Sequence, residues 1–188
     1  MKSPFTGGSV TKLFKYETYT FRNEKYEVKR YYYKCDDTGR EFSDAEVDNE
    51  AIESLHEQYR LRYGIPSPAD LKELRTRYGF SAHTMSKIAG IGINQYGLYE
   101  NGEVPTLVVG MRLGYLFFKA YMLKSIETAK HRLGKDYLRV KEAVEAYEEP
   151  VSYPFEKVYY NDYVEVVSFK LPFASFAMKN PRWATSVI

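Results

Sequence analysis

The sequence predicts an α+β fold made of a small N-terminal β-hairpin domain, a central all-helical domain, and C-terminal helices that lead into an extended or β tail. Three observations predict it. Aromatic residues alternate with polar ones near the N-terminus, apolar residues recur at helical spacing through the middle of the chain, and a Tyr- and Val-rich segment follows Pro150. We therefore divide the chain into residues 1–48, 49–67, 68–124 and 125–188.

The N-terminal part predicts a β-hairpin with a turn at Asn23-Glu24. The alternating residues are Tyr19, Phe21, Tyr26, Val28, Arg30 and Tyr32. We expect the aromatic side chains here to serve in core and cross-strand packing rather than as a ligand surface. Residues 41–63 change to helical spacing, and the Gly- and Pro-containing segment 64–68 ends this helix in a linker.

Residues 68–104 predict three short helices separated by tight turns. Leu71 and Leu74 lie at helical spacing, Gly79 ends that helix, and Ser81 is placed to cap the next one. This spacing is typical of a compact helical unit in which each helix is only two or three turns long.

The third of these helices is predicted from about residue 93 to residue 101. Gly90 and Gly92 break the second helix, and glycine suits the turn because it adopts positive φ without a Cβ clash. Asn94 and Gln95 remain outward at the start of the third helix. The residues predicted to face inward are Ile91, Ile93, Tyr96 and Tyr99.

This order of helices is typical of a helix-turn-helix and suits DNA. An α-helix fits the major groove, and its first turn can present side chains to base edges. Asn and Gln can bond adenine N6 and N7 together, so we predict that Asn94 and Gln95 contact bases; the alternative is that Asn94 only caps or solvates a helix. The predicted phosphate contacts, each of which could instead belong to a solvated helix face, are Lys72, Arg75, Arg77, Lys87 and Arg112.

Because the net charge of the chain is small, any DNA-binding surface must be confined to one part of the protein. The chain has 27 Lys and Arg against 25 Asp and Glu, a net charge of +2, without the basic excess that marks many nucleic-acid-binding proteins. Few phosphate contacts from one copy predict a homodimer that engages two half-sites of a palindromic operator in double-stranded DNA. Residues 106–124 are apolar around most of a helix circumference, which predicts a buried helix and a candidate dimer interface.

The C-terminal part predicts one more helix and then an extended segment. Residues 125–149 carry an apolar stripe at helical spacing that Pro150 ends. Residues 158–173 predict one or two strands, or an arm that folds back on its own domain or adds a strand to a partner.

The remaining features predict a cytoplasmic protein that is not an enzyme. No catalytic motif, signal peptide or membrane-spanning apolar segment is present in the sequence, and no cofactor is expected. The single Cys35 can form neither an intramolecular disulfide nor a cysteine zinc cluster, and we expect it to be a structural relic or a partly buried thiol rather than a reactive cysteine.

The segment Ala89–Gly102 resembles the recognition-helix block of the MqsA (YgiT-type) zinc-finger/helix-turn-helix antitoxins, in which a glycine-rich turn precedes an Asn and the block ends in Tyr-Glu-x-Gly. The resemblance covers roughly residues 1–110. It implies a zinc-ribbon-like N-terminal domain and a λ-repressor-like DNA-binding domain. It also implies a transcriptional repressor that regulates its own operon as the antitoxin of a toxin–antitoxin system, with the N-terminal domain, the tail, or both binding the cognate toxin.

Two departures from this family matter. The family's four zinc-binding cysteines map onto Ser3, Thr6, Cys35 and Thr38, and hydroxyls are poor zinc ligands, so we predict that this domain folds without metal. Leu98 stands where the family has an Arg that reads bases together with the Asn, which removes about 1–3 kcal/mol of base discrimination.

Leu98 could instead contact a thymine methyl group or pack in a protein interface. The alternative function is therefore a protein-interaction module, or a toxin-binding protein whose helix-turn-helix no longer reads DNA.

Overall fold

The computed structural model describes residues 1–148, 156–160 and 164–168. It confirms the α+β class: a three-stranded antiparallel sheet precedes a series of helices, and two further strands pair near the C-terminus. The chain forms two compact units, Met1–Tyr59 and Arg60–Ile188. Helices on both sides of residue 124 share one hydrophobic core.

The first unit contains a long hairpin and most of the first helix. The elements are β1 (Val10–Phe21), β2 (Glu24–Cys35), β3 (Glu41–Phe42) and α1 (Ala45–Tyr63), in the sheet order β1-β2-β3. Phe21 pairs with Glu24, and the two residues between them, Arg22 and Asn23, have φ of 51° and 66°. The turn therefore lies one residue before the predicted one, since a two-residue hairpin turn needs positive φ at both of its central positions.

The two faces of the hairpin have different environments. On one face Phe21 and Tyr26 contact Tyr59 of α1, with ring centroids 5.2 and 6.4 Å apart. On the other face Phe14 and Tyr16 are exposed, and the Lys29 ammonium lies 4.1 Å from the centroid of the Phe14 ring. The aromatic residues of this domain thus include a solvent-facing set in addition to the expected core.

The second unit is built from seven short α-helices among the described residues. They are α2 (Pro68–Arg77), α3 (Ala82–Ala89), α4 (Gln95–Glu100), α5 (Leu107–Tyr115), α6 (Lys119–Thr128), α7 (Lys130–Leu133) and α8 (Tyr137–Glu145), with a 3-10 turn at Gly134–Asp136. The Ser81 side chain accepts a hydrogen bond from the backbone N–H of Thr84, so the predicted cap of α3 is confirmed. No helix in the described part of the chain is both long enough and apolar enough to cross a membrane.

Three predictions about these helices were wrong. Helix α4 begins at Gln95 rather than near residue 93, and Ile93, predicted to face inward, is 56% exposed because it lies in the preceding turn. The helix predicted over residues 106–124 is two helices, since the chain bends after Tyr115 and buries Leu116 and Phe117 in the core of the same unit. The helix predicted over residues 125–149 is interrupted at Gly134, whose φ of 57° does not continue a helix.

The tail forms two strands, which was one of the alternatives open from sequence. β4 (Glu156–Tyr160) and β5 (Val164–Ser168) pair in antiparallel register, with Val158 opposite Val166. The last residues of the predicted extended segment, up to residue 173, lie outside the described residues.

Candidate nucleic-acid interface

Helix α4 is held against α2 and α3 by one buried tyrosine. The Tyr96 hydroxyl donates a hydrogen bond to the carbonyl oxygen of Leu71 on α2 at 2.8 Å, and the Tyr96 backbone N–H donates to Oγ of Ser86 on α3 at 3.1 Å. Burial raises the pKa of Tyr96, so the phenol stays protonated and able to donate. Both bonds lie in a core that excludes water, and they define the position of α4 relative to the two helices before it.

An ion pair between α2 and α4 adds a second anchor. Nε of Arg75 lies 2.6 Å from Oε1 of Glu100, and Nη1 of Arg75 donates to the carbonyl oxygen of Phe80 at 3.1 Å. Arg75 was predicted to contact phosphate, but its guanidinium group already bonds to Glu100 and to the carbonyl oxygen of Phe80. We therefore leave Arg75 out of the candidate interface.

The outer surface at the start of α4 carries the predicted base-contacting residues. Asn94 is exposed at the N-cap position, and its side chain forms no hydrogen bond with any described residue, so it does not serve as the cap. Gln95 is half-buried, and its Oε1 accepts a hydrogen bond from the Tyr99 hydroxyl at 2.6 Å. Leu98 is 43% exposed on the next turn. The structure thus brings Asn94, Gln95 and Leu98 to one surface.

The predicted phosphate contacts lie in different environments. Lys72 is exposed on α2, whereas Nη2 of Arg77 pairs with Oε1 of Glu73 at 3.0 Å. Lys87 is half-exposed on the last turn of α3. Nη1 of Arg112 donates to the carbonyl oxygens of Ala89 and Gly90, at 3.2 and 3.4 Å, and therefore lies at the turn that leads into α4.

One basic residue at this turn was missed from sequence. Nε of Arg132, on α7, donates to the carbonyl oxygen of Lys87 at 3.1 Å. The two residues are 45 positions apart, and no local pattern in the sequence connects them. Only the packing of α7 and α3 in one core brings Arg132 here.

The four positions that the resemblance assigned to zinc ligands, Ser3, Thr6, Cys35 and Thr38, also come together. Cys35 and Ser3 are buried, and Oγ1 of Thr6 lies 3.6 Å from the Cys35 sulfur. Hydrogen bonds from the hydroxyls of Ser3 and Thr38 above all lower the pKa of the Cys35 thiol to about 6, while the Thr6 hydroxyl donates to Oδ2 of Asp37 at 2.6 Å. Three hydroxyls with one thiol do not fit a zinc ion. Within the described residues, no group of three or more His, Cys, Asp or Glu side chains is placed to hold a metal.

The geometry of the α3–α4 region is the basis for assigning a function to this chain. Comparisons with protein-family models, with curated proteins and with solved structures found no match.

Proposed function

We propose that this protein is a sequence-specific DNA-binding repressor that places the start of α4 in the major groove. The observation that carries this proposal is Asn94, an exposed amide without a hydrogen-bond partner among the described residues. It stands at the start of a helix that Tyr96 and the Arg75–Glu100 ion pair hold in place. A recognition residue needs this combination, because a rigid support lowers the entropy cost of placing its donor and acceptor against a base.

The three outward residues have different roles in this proposal. Asn94 offers both an amide N–H and a carbonyl oxygen, which is the pair of groups needed to bond adenine N6 and N7 together. The carbonyl oxygen of Gln95 is already bonded to Tyr99, so its NH₂ group supplies donors to an acceptor such as guanine O6 or thymine O4. Leu98 supplies an apolar contact for a thymine methyl group.

The proposed DNA-bound form is a homodimer on a palindrome. The net charge of +2 supplies little general attraction to phosphates, so a single copy would bind DNA weakly. The outer side of α5 and the bend after it carry exposed apolar residues, namely Leu107, Val108, Tyr115 and Phe118. Covering these side chains with a second copy would remove apolar surface from water, and we propose that the resulting dimer uses two recognition helices in successive major grooves.

A finer proposal is that this repressor is the antitoxin of a toxin–antitoxin pair and regulates its own operon. The support is the resemblance of residues 89–102 to MqsA-type antitoxins. We expect a small neighbouring gene that encodes a growth-inhibiting protein. Expressing this chain together with that protein should neutralise the inhibition of growth. A partner that remains toxic in the presence of this chain would contradict the antitoxin assignment and leave DNA binding unaffected.

A second candidate is a protein-interaction module whose helix-turn-helix no longer reads DNA. It is favoured by Ile93 and Leu98, two exposed apolar side chains on either side of Asn94. Such a surface also suits a protein partner, since apolar contact dominates the central part of most protein interfaces.

Fluorescence-anisotropy titrations separate these two functions. The wild type, Asn94→Ala and Asn49→Ala are titrated with the DNA upstream of the protein's own gene and with a scrambled duplex, over a series of salt concentrations. Asn49 is a matched control because it is an exposed Asn on α1, away from the candidate interface in the sequence.

We expect the wild type and Asn49→Ala to prefer the upstream DNA, with an affinity that falls as salt rises. Asn94→Ala should lose about 1–3 kcal/mol of that preference. An unchanged preference in Asn94→Ala would show that α4 does not read bases. Equal, weak binding of both duplexes by the wild type would favour the interaction module.

A further inference from the structure

Two guanidinium groups converge on the C-terminal end of α3. Arg112, from α5, donates through Nη1 to the carbonyl oxygens of Ala89 and Gly90 at 3.2 and 3.4 Å. Arg132, from α7, donates through Nε to the carbonyl oxygen of Lys87 at 3.1 Å. Both side chains therefore reach the same turn from separate helices.

The conformation of Gly90 shows how close the two groups are. A Cβ atom at this position would lie 3.4 Å from Nη2 of Arg132 and 3.7 Å from Nη1 of Arg112. The two nitrogens are thus near one point in space, over a residue whose φ of +64° also favours glycine. An anion placed near this point is attracted by both cations.

The protein neutralises this pair only in part. Neither Arg112 nor Arg132 forms an ion pair with a carboxylate of the described residues. The C-terminal end of a helix carries the equivalent of about half a negative charge, which is less than the two positive charges above it, and Lys87 adds a third nearby. The turn therefore keeps an excess of positive charge.

Capping of α3 uses only some of the donors of the two arginines: Nη1 of Arg112 bonds the carbonyl oxygens of Ala89 and Gly90, and Nε of Arg132 bonds that of Lys87. The backbone N–H of Gly90 already donates to Lys87 and the N–H of Ile91 donates to Ser86, as in a helix that ends in a left-handed residue. Each guanidinium has five N–H donors. Among the described residues, Nη1 and Nη2 of Arg132 and Nε and Nη2 of Arg112 have no acceptor, so these donors are available to a ligand.

We propose that Arg112 and Arg132 form a phosphate clamp that holds one phosphodiester of duplex DNA beside the α3–α4 turn. This inference rests on the proposed function. A phosphodiester has one negative charge and two non-bridging oxygens, each able to accept a charge-assisted hydrogen bond of about 2.7–2.9 Å. The carbonyl oxygens of α3 orient both guanidinium groups before DNA arrives. Because Gly90 is four residues before Asn94, the clamp sets the register of α4 in the groove without reading sequence.

The test compares Arg132→Gln with Arg139→Gln. Arg132 is an exposed side chain, so its replacement leaves the core intact. Arg139 is a matched control because it is an exposed arginine on α8 that pairs with Asp136 instead of bonding to the turn. Both variants and the wild type are titrated by fluorescence anisotropy with the upstream duplex and the scrambled duplex at several salt concentrations. Circular dichroism and thermal unfolding confirm that each variant is folded.

We expect Arg132→Gln to weaken binding to both duplexes by a similar factor, about tenfold at low salt, and to reduce the slope of log affinity against log salt by about 1. Arg139→Gln should leave both quantities unchanged. Arg132→Lys keeps the charge but loses the forked donors, so it should restore the salt slope and only part of the affinity.

Two outcomes would overturn the clamp, and they differ from each other. If the wild type binds DNA and Arg132→Gln has the same salt slope as the wild type, the clamp is overturned and the proposed function still stands. A wild type that binds neither duplex would overturn both.

Discussion

Tyr96 joins three helices through a single side chain and its own backbone. Its ring is buried between the helices that precede α4, its hydroxyl donates to α2, and its N–H donates to α3. A buried hydrogen bond contributes most when its loss would leave a polar group unsatisfied. The position of the candidate recognition helix therefore depends on a residue that cannot itself contact DNA.

Replacing Tyr96 by Phe should destabilise the protein. The variant keeps the ring but removes the bond to the Leu71 carbonyl oxygen, and we expect the free energy of unfolding to fall by about 1–2 kcal/mol. Urea denaturation measures this change. Tyr16→Phe is the control, because the hydroxyl of Tyr16 is on the exposed face of the hairpin and its loss should cost less than about 0.5 kcal/mol. Equal effects of the two substitutions would contradict this role of the Tyr96 hydroxyl.

The Cys35 thiol should make stability depend on pH. Its pKa is about 6 in the folded protein because hydroxyls, those of Ser3 and Thr38 above all, donate to it, whereas an unfolded chain has a cysteine pKa of about 8.5. The folded pKa is the lower one, so this stabilisation is fully present above the unfolded pKa and is lost as pH falls through 6.

Urea denaturation of the wild type and of Cys35→Ser, at pH 5.5 and pH 8.5, tests this expectation, since serine does not titrate in this range. The free energy of unfolding of the wild type, relative to that of the variant, should rise between the two pH values. A difference that does not change with pH would show that the thiol has an ordinary pKa in the folded protein.

At the scale of helices, the packing of α5 depends on the absence of a side chain. A Cβ atom on Gly110 would lie 2.7, 2.9 and 3.0 Å from three side-chain atoms of Ile65. Ile65 is buried, so it has little room to move away. The close approach of α5 to the segment between α1 and α2 therefore requires glycine at this position.

Gly110→Ala should destabilise the protein by about 1–3 kcal/mol through overpacking, although alanine favours helix formation. Gly97→Ala in α4 is the matched control, because its Cβ would lie at an ordinary distance of 3.7 Å from the Cβ of Ala82. That substitution should be neutral or stabilise the protein by up to about 1 kcal/mol. Thermal unfolding of both variants distinguishes the two cases; a stabilised Gly110→Ala would show that Ile65 can move.

At the scale of the whole molecule, the small net charge and the exposed apolar residues of α5 support the proposal that two chains bind DNA together. The net charge of +2 supplies little general attraction to DNA. In this proposal, affinity comes from the summed contacts of two copies.

Light scattering should give the wild type twice the mass of one 22.0 kDa chain at micromolar concentration. Val108→Glu should shift the mass toward one chain, since Val108 is 68% exposed in the first turn of α5 and a charge there opposes apolar contact. Leu138→Glu, equally exposed on α8 at 64%, should leave the dimer intact. If the wild type has the mass of one chain, the proposal that two copies bind two half-sites is contradicted.

Features that depend on residues close together in the chain could be predicted from the amino-acid sequence. The α+β order, the cap at Ser81, the glycine turn before α4 and the outward position of Asn94 all follow from spacing within about ten residues. Such patterns can be recognised in the sequence because caps, turns and apolar periodicity act over one or two helical turns.

The tertiary structure decided which polar groups are already used and which distant residues meet. It paired Arg75 with Glu100 and brought Arg132 to the turn at Gly90. Neither could be predicted from spacing, because each results from the packing of helices in one core rather than from local propensity. The neighbours of a polar side chain across that core determine whether its donors form structural hydrogen bonds or stay free to bind a ligand.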